Sequence, residues 1–98
     1  MTHEIYKINR FKIVSPYTLE IIFDDASSKV INFEPVLYGS LFGKLRDLDF
    51  FNSVYLDTEV HTIVWSNGAD FDPAVLHNWE DNLVALTEQI AKWRLVAS

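Results

Sequence analysis

The side chains best suited to chemistry in this sequence gather between His61 and His77. Asp70 and Asp72, with His61 and His77, are the residue types that hold zinc or iron or relay protons. Their arrangement argues against both uses. His77 has no second histidine at helical spacing, and the set matches no metal-ligand pattern. Ser66 sits beside Asn67-Gly68 but lacks the flanking glycines of a nucleophile elbow. Gly39, Gly43 and Gly68 are too far apart to form a phosphate-binding loop. The chain has no cysteine, which removes disulfides, thiolate metal sites and cysteine nucleophiles. No catalytic residue, metal or cofactor is therefore assigned.

The same stretch, Trp65-Ser66-Asn67-Gly68-Ala69-Asp70-Phe71-Asp72-Pro73, has a sufficient structural reading. Trp65 anchors the core at a strand end, with its indole N–H seeking one acceptor. Asn67-Gly68 is expected to supply the positive φ angles of a tight turn. Asp70 is expected to bind loop amides, and Asp72-Pro73 to start a helix. The competing reading makes this segment a ligand or partner surface with Asp70 at its centre. Asp70 is the residue that local structure explains least.

Those residues must be positioned by the elements around them. Ile5 to Val14 mixes β-branched, aromatic and basic residues, which predicts a bulged strand, and Pro16 marks its turn. Leu19, Ile21 and Phe23 form one apolar face of a second strand. Asp24 to Ser28 is polar enough for a hairpin connection, and Val30, Ile31 and Phe33 return. Pro35 fits a short helical turn, and Gly39 and Gly43 break up the irregular region after it. Asp47 or Asp49 can cap a turn carrying Phe50 and Phe51. Val54-Leu56 and Thr62-Trp65 make a second hairpin. After Asp72-Pro73, Trp79, Leu83, Leu86, Ile90 and Trp93 fall on one helical stripe. Packing of this helix on the sheet is preferred over a helix-mediated homodimer, because two heptads are short for a coiled coil. The expected architecture is a single α+β domain over 1–98: an antiparallel sheet of about five strands in hairpins, short central helical turns, and a long C-terminal helix packed on the sheet.

Hydrophobic residues at 49% and charged residues at 22% describe an ordinary globular chain. The 14% of aromatics can fill the core of a short chain or leave an apolar face for a partner. A net charge of −6 opposes direct nucleic-acid binding and suits either solubility or a basic partner. Lys7, Arg10 and Lys12 give the first strand a basic side, joined by Lys44 and Arg46. That is a charge-guarded edge or a local patch for an acidic partner. The start of the sequence does not read as a signal peptide, and no apolar run approaches the ~20 residues of a membrane span. A cytoplasmic protein is expected, with no membrane contact.

Several segments come in a telling order: Phe23-Asp24, Phe33-Glu34-Pro35, Gly39-Ser40-Leu41-Phe42, Leu45-Arg46-Asp47, Phe51, then Ile63 to Pro73 and Leu76. In this order the chain resembles a family of small bacterial proteins, the domain-of-unknown-function family 2442. The likeness covers a core from Ile5 to Leu76, and 77–98 is read as a C-terminal helical extension. The family commonly has Asp-Gly at the first hairpin turn. Here Asp25 is followed by Ala26-Ser27-Ser28, so a longer or differently shaped loop is expected. The resemblance implies a small α+β fold found alone or beside a helix-turn-helix domain. It also implies frequent genomic pairing with another small protein, which has suggested antitoxin-like or regulatory roles. No activity or catalytic residue comes with it. The leading expectation is a non-enzymatic protein-interaction module, regulatory and antitoxin-like, acting through a small protein partner. The alternative is a small-molecule-binding protein or cryptic enzyme with a pocket near Trp65 and Asp70.

Overall fold

Alternation of apolar side chains builds the first layer. A computed structural model describes residues 6–97, with side chains described as far as Lys92. Strands β1 (Ile8–Ser15), β2 (Thr18–Phe23) and β3 (Ser28–Asn32) form an antiparallel meander in the order β1-β2-β3. Leu19, Ile21 and Phe23 of β2 are buried, with Ile13 and Ile31 opposite Leu19 on the two neighbouring strands. The bulged first strand is present: its register with β2 shifts between Ile8 and Arg10 and again between Ile13 and Ser15.

The second hairpin is β4 (Tyr55–Asp57) and β5 (Thr62–Val64). All five expected strands exist, but they divide into a three-stranded and a two-stranded sheet. The sheets meet where the Ile8 N–H donates to the His61 carbonyl at 2.9 Å. A register shift follows directly after Ile8, and past it β1 makes no further backbone hydrogen bond to the second hairpin among the described residues.

Between the hairpins lie a 3-10 turn at Glu34–Val36, α1 (Gly39–Phe42), a second 3-10 turn at Gly43–Arg46, and α2 (Leu48–Phe51). Of the two candidate caps for α2, Asp47 takes the role, accepting from the amides of Asp49 and Phe50. The predicted long helix is broken into α3 (Pro73–His77) and α4 (Trp79–Ala97). Asn78, at φ −110 and ψ 41, ends the one and starts the other. Its side-chain amide donates to the Ala74 carbonyl at 3.1 Å, and its own carbonyl accepts from Asp81 and Asn82. A polar side chain that bonds the preceding turn competes with continued helix.

On α4, Trp79 and Ile90 are buried and Leu83 and Leu86 are partly so. The stripe therefore serves the core, and Trp93 lies outside the described side chains. The helix packs by the Glu34–Val36 turn that comes after β3. Much of the aromatic surplus also turns inward. The Phe33 ring sits 6.0 Å from Phe51, 6.5 Å from Trp65, 5.1 Å from Phe71 and 5.3 Å from Trp79, centroid to centroid. No helix among the described residues is long and apolar enough to cross a membrane.

Candidate functional site

Trp65 lies just past the end of β5 and is 1% exposed. Its indole N–H donates to the Phe51 carbonyl at 2.9 Å, at the C-terminus of α2 where carbonyls lack helical partners. Its backbone N–H donates to the Ala69 carbonyl at 2.9 Å, and the Gly68 N–H donates back to the Trp65 carbonyl at 3.0 Å. The turn thus has three residues, Ser66-Asn67-Gly68. Only Gly68, at φ 91, adopts the left-handed conformation; Asn67 does not. Three-residue hairpin loops need that backbone only at their last position. Asn67 acts through its side chain instead. Its Oδ1 accepts from the Ala69 N–H at 3.0 Å and its Nδ2 donates to the Leu41 carbonyl at 3.1 Å, tying the turn to α1.

Asp72 caps α3, accepting from the Ala74 N–H at 2.8 Å, with Pro73 at the first helical position. Asp70 departs from expectation. Its backbone bridges to Val64, but its carboxylate is exposed and makes no hydrogen bond or ion pair among the described residues. The side chain that binds a loop amide in this turn is Asn67, not Asp70.

The same turn occurs a second time. The Phe23 N–H donates to the Ser27 carbonyl at 2.9 Å and the Ala26 N–H to the Phe23 carbonyl at 3.0 Å. Asp25 Oδ1 accepts from the Ser27 N–H at 2.9 Å, as Asn67 does from Ala69. Ala26, at φ 70, stands where Gly68 stands in the other turn. The β2–β3 loop therefore has the same three-residue form as the Ser66-Asn67-Gly68 turn. It keeps a glycine-type backbone with alanine in it.

This first turn also gathers a group the sequence did not reveal. The Ser27 hydroxyl donates to Asp25 Oδ1 at 2.5 Å, and His77 Nε2 lies 3.1 Å from Asp25 Oδ2 and 3.2 Å from Ser27 Oγ. The imidazole stacks on Tyr6 with ring centres 3.9 Å apart and meets the edge of Phe23 at 4.9 Å. Ser27 holds the Asp25 carboxyl below its ordinary value, through the hydroxyl first and the backbone N–H next, with His77 adding to the effect. Serine, histidine and aspartate are the members of a hydrolytic triad, but the wiring is wrong for one. Acyl transfer needs aspartate on Nδ1 and serine on Nε2. Here both share Nε2, the serine proton goes to the carboxylate, and Nδ1 is buried with no hydrogen-bond partner among the described residues. His77 lies 50 residues from Ser27, so only the local Asp25-Ala26-Ser27 turn was open to a sequence reading.

A family model described as "Protein of unknown function (DUF2442)" matches residues 8–82. The chain belongs to the DUF2442 family. No curated protein and no solved structure matches it. The matched stretch takes in both sheets, α3 and the first turn of α4, and leaves the rest of that helix outside.

In this DUF2442 chain the residues considered for a metal go separate ways. His77 faces Asp25, Asp72 caps a helix, and Asp70 lies on the surface. Among the described residues no group of three or more His, Asp or Glu side chains is placed to hold a metal ion. The basic residues divide too. Lys44 lies over the Phe50 ring and Arg46 over Tyr38, each at 5.0 Å. Lys7, Arg10 and Lys12 are exposed and form no ion pair among the described residues. Beside them Ile13 and Val14 are 40% and 45% exposed, on a strand that forms one edge of its sheet.

Proposed function

We propose that this chain is a non-enzymatic protein-interaction module of the bacterial cytoplasm, regulatory and antitoxin-like, that acts through a small protein partner. The observation that carries the reading is the edge strand β1, which keeps apolar side chains in water beside cations that form no ion pair among the described residues. In the Trp65–Pro73 segment the Trp65 indole, Asn67 and Asp72 are meanwhile engaged in the fold, while Ser66 and Asp70 are exposed. An unpaired strand edge with exposed apolar and basic side chains suits pairing with another chain better than catalysis. The resemblance to a family with frequent genomic pairing favours a dedicated partner. The rival pocket at Trp65 and Asp70 has little to recommend it, because the indole is buried with its N–H satisfied.

The test is capture of the full chain from its native cells, then reconstitution from purified components. A small protein that forms a complex of fixed stoichiometry by light scattering, and whose toxicity this chain relieves on co-expression, is the expected result. A bound metabolite with no protein partner would overturn the reading.

A further inference from the structure

We infer that the outer edge of β1 takes one extended, acidic segment of the protein partner and adds it to the three-stranded sheet as a new strand; this rests on the interaction reading above. Antiparallel pairing with β2 engages one side of β1, so alternate N–H and C=O groups face away from the sheet. Beyond Ile8 none of them has a backbone partner among the described residues. From Arg10 to Ile13 the register of β1 is regular and clear of the His61 contact at Ile8, which gives an added segment a short continuous ladder.

The side chains select the segment. Phe11 and Ile13 stand opposite Ile21 and Leu19, on the core face of the sheet, yet Ile13 remains 40% exposed. An added strand would bring an apolar side chain over that rim. Arg10 and Lys12 stand opposite Ile22 and Glu20, on the other face, and carry no ion pair among the described residues. The matching residues of the new strand are therefore acidic. Apolar and acidic residues in alternation satisfy both faces at once.

Two other occupants fit less well. A second copy pairing β1 with β1 would set Arg10 and Lys12 of both chains side by side, and like charges across strands destabilise. The opposite edge, β3, already has α3 beside it, and its Lys29 is paired with Glu80. Cations on an edge also deter aggregation. That role alone predicts no preference among peptides of opposite charge.

The experiment titrates the isotope-labelled full chain with a synthetic peptide of alternating Glu and Val, matched to β1 in length, and with a Lys–Val peptide as control. The Glu–Val peptide should shift the amide resonances of β1 and slow hydrogen exchange at alternate β1 residues. Added salt should weaken it, and the R10E/K12E double variant should bind it about tenfold less tightly. Because Lys12→Glu sets a like charge opposite Glu20, the neutral R10Q/K12Q variant, which should keep its unfolding midpoint, is measured beside it and should also bind less tightly. Equal binding of both peptides, or no response along β1, would overturn the proposal. So would a dimer held through β1 in light scattering. The natural partner separates this inference from the broader one. If R10E/K12E captures it as well as the wild-type chain does, the edge proposal falls and the interaction reading stands. If no protein partner exists, the interaction reading falls and takes the edge proposal with it, whatever the peptides do.

Discussion

Asp70 and Asp72 stand two residues apart and have opposite standing in the fold. Asp72 satisfies a helix N-terminus, and its replacement by alanine should cost about 1 kcal/mol in urea denaturation. Asp70→Asn should change stability by less than about 0.5 kcal/mol, since its carboxylate is exposed and makes no hydrogen bond or ion pair among the described residues. A stable Asp70→Asn protein that no longer bound its partner would move the interaction surface from β1 to the Trp65–Pro73 hairpin. Asp25 gives a pH-dependent expectation. Its folded pKa lies below the ordinary 3.8, so the stability it contributes is present above that value and lost as pH falls through the lower one. Because Ser27 is the largest cause, Ser27→Ala should raise the Asp25 titration midpoint in carboxyl-carbon NMR more than His77→Phe does. The reverse order would mean that the imidazole governs the carboxylate.

At the scale of elements, the two three-residue turns invite a reciprocal exchange. Gly68→Ala adds a Cβ that meets nothing within 4 Å, so its cost is the left-handed backbone alone, about 1–2 kcal/mol. Ala26→Gly removes the same strain and should raise stability by about 0.5 kcal/mol after the entropy of glycine is deducted. Thermal denaturation of both variants checks the pair; destabilisation by Ala26→Gly would mean the turns differ. These turns also mark how far sequence reasoning reaches. The alternation in β2, the Asp72-Pro73 helix start and the two hairpins were legible because each is written within a few adjacent residues. Ala26 was not, since an alanine carries no sign that its backbone must turn left-handed. The break at Asn78 escaped because the stripe from Trp79 to Ile90 has helical spacing on its own and says nothing of where the preceding turn ends. The parting of the five strands into two sheets is a matter of non-local pairing around Ile8, and the Asp25–His77 contact spans 52 residues. Neither leaves a local trace.

At the scale of the whole molecule, a chain of net charge −6 keeps a row of cations along one sheet edge, unpaired among the described residues. The long-range field and the local surface thus ask for different things: the body favours basic neighbours, and β1 favours an acidic strand. Beneath that surface, Phe33 joins rings from α2, from the end of β5, from the segment before α3 and from α4. Loosening any one of these segments strips neighbours from the others. Far-UV circular dichroism and tryptophan fluorescence should accordingly report a single shared unfolding midpoint; two separated midpoints would show that the sheets come apart independently. A chain that opens only as a whole offers cellular proteases few partially unfolded forms to cut. Its turnover should then track its global stability, and any partner that binds the folded form would lengthen its life in the cell.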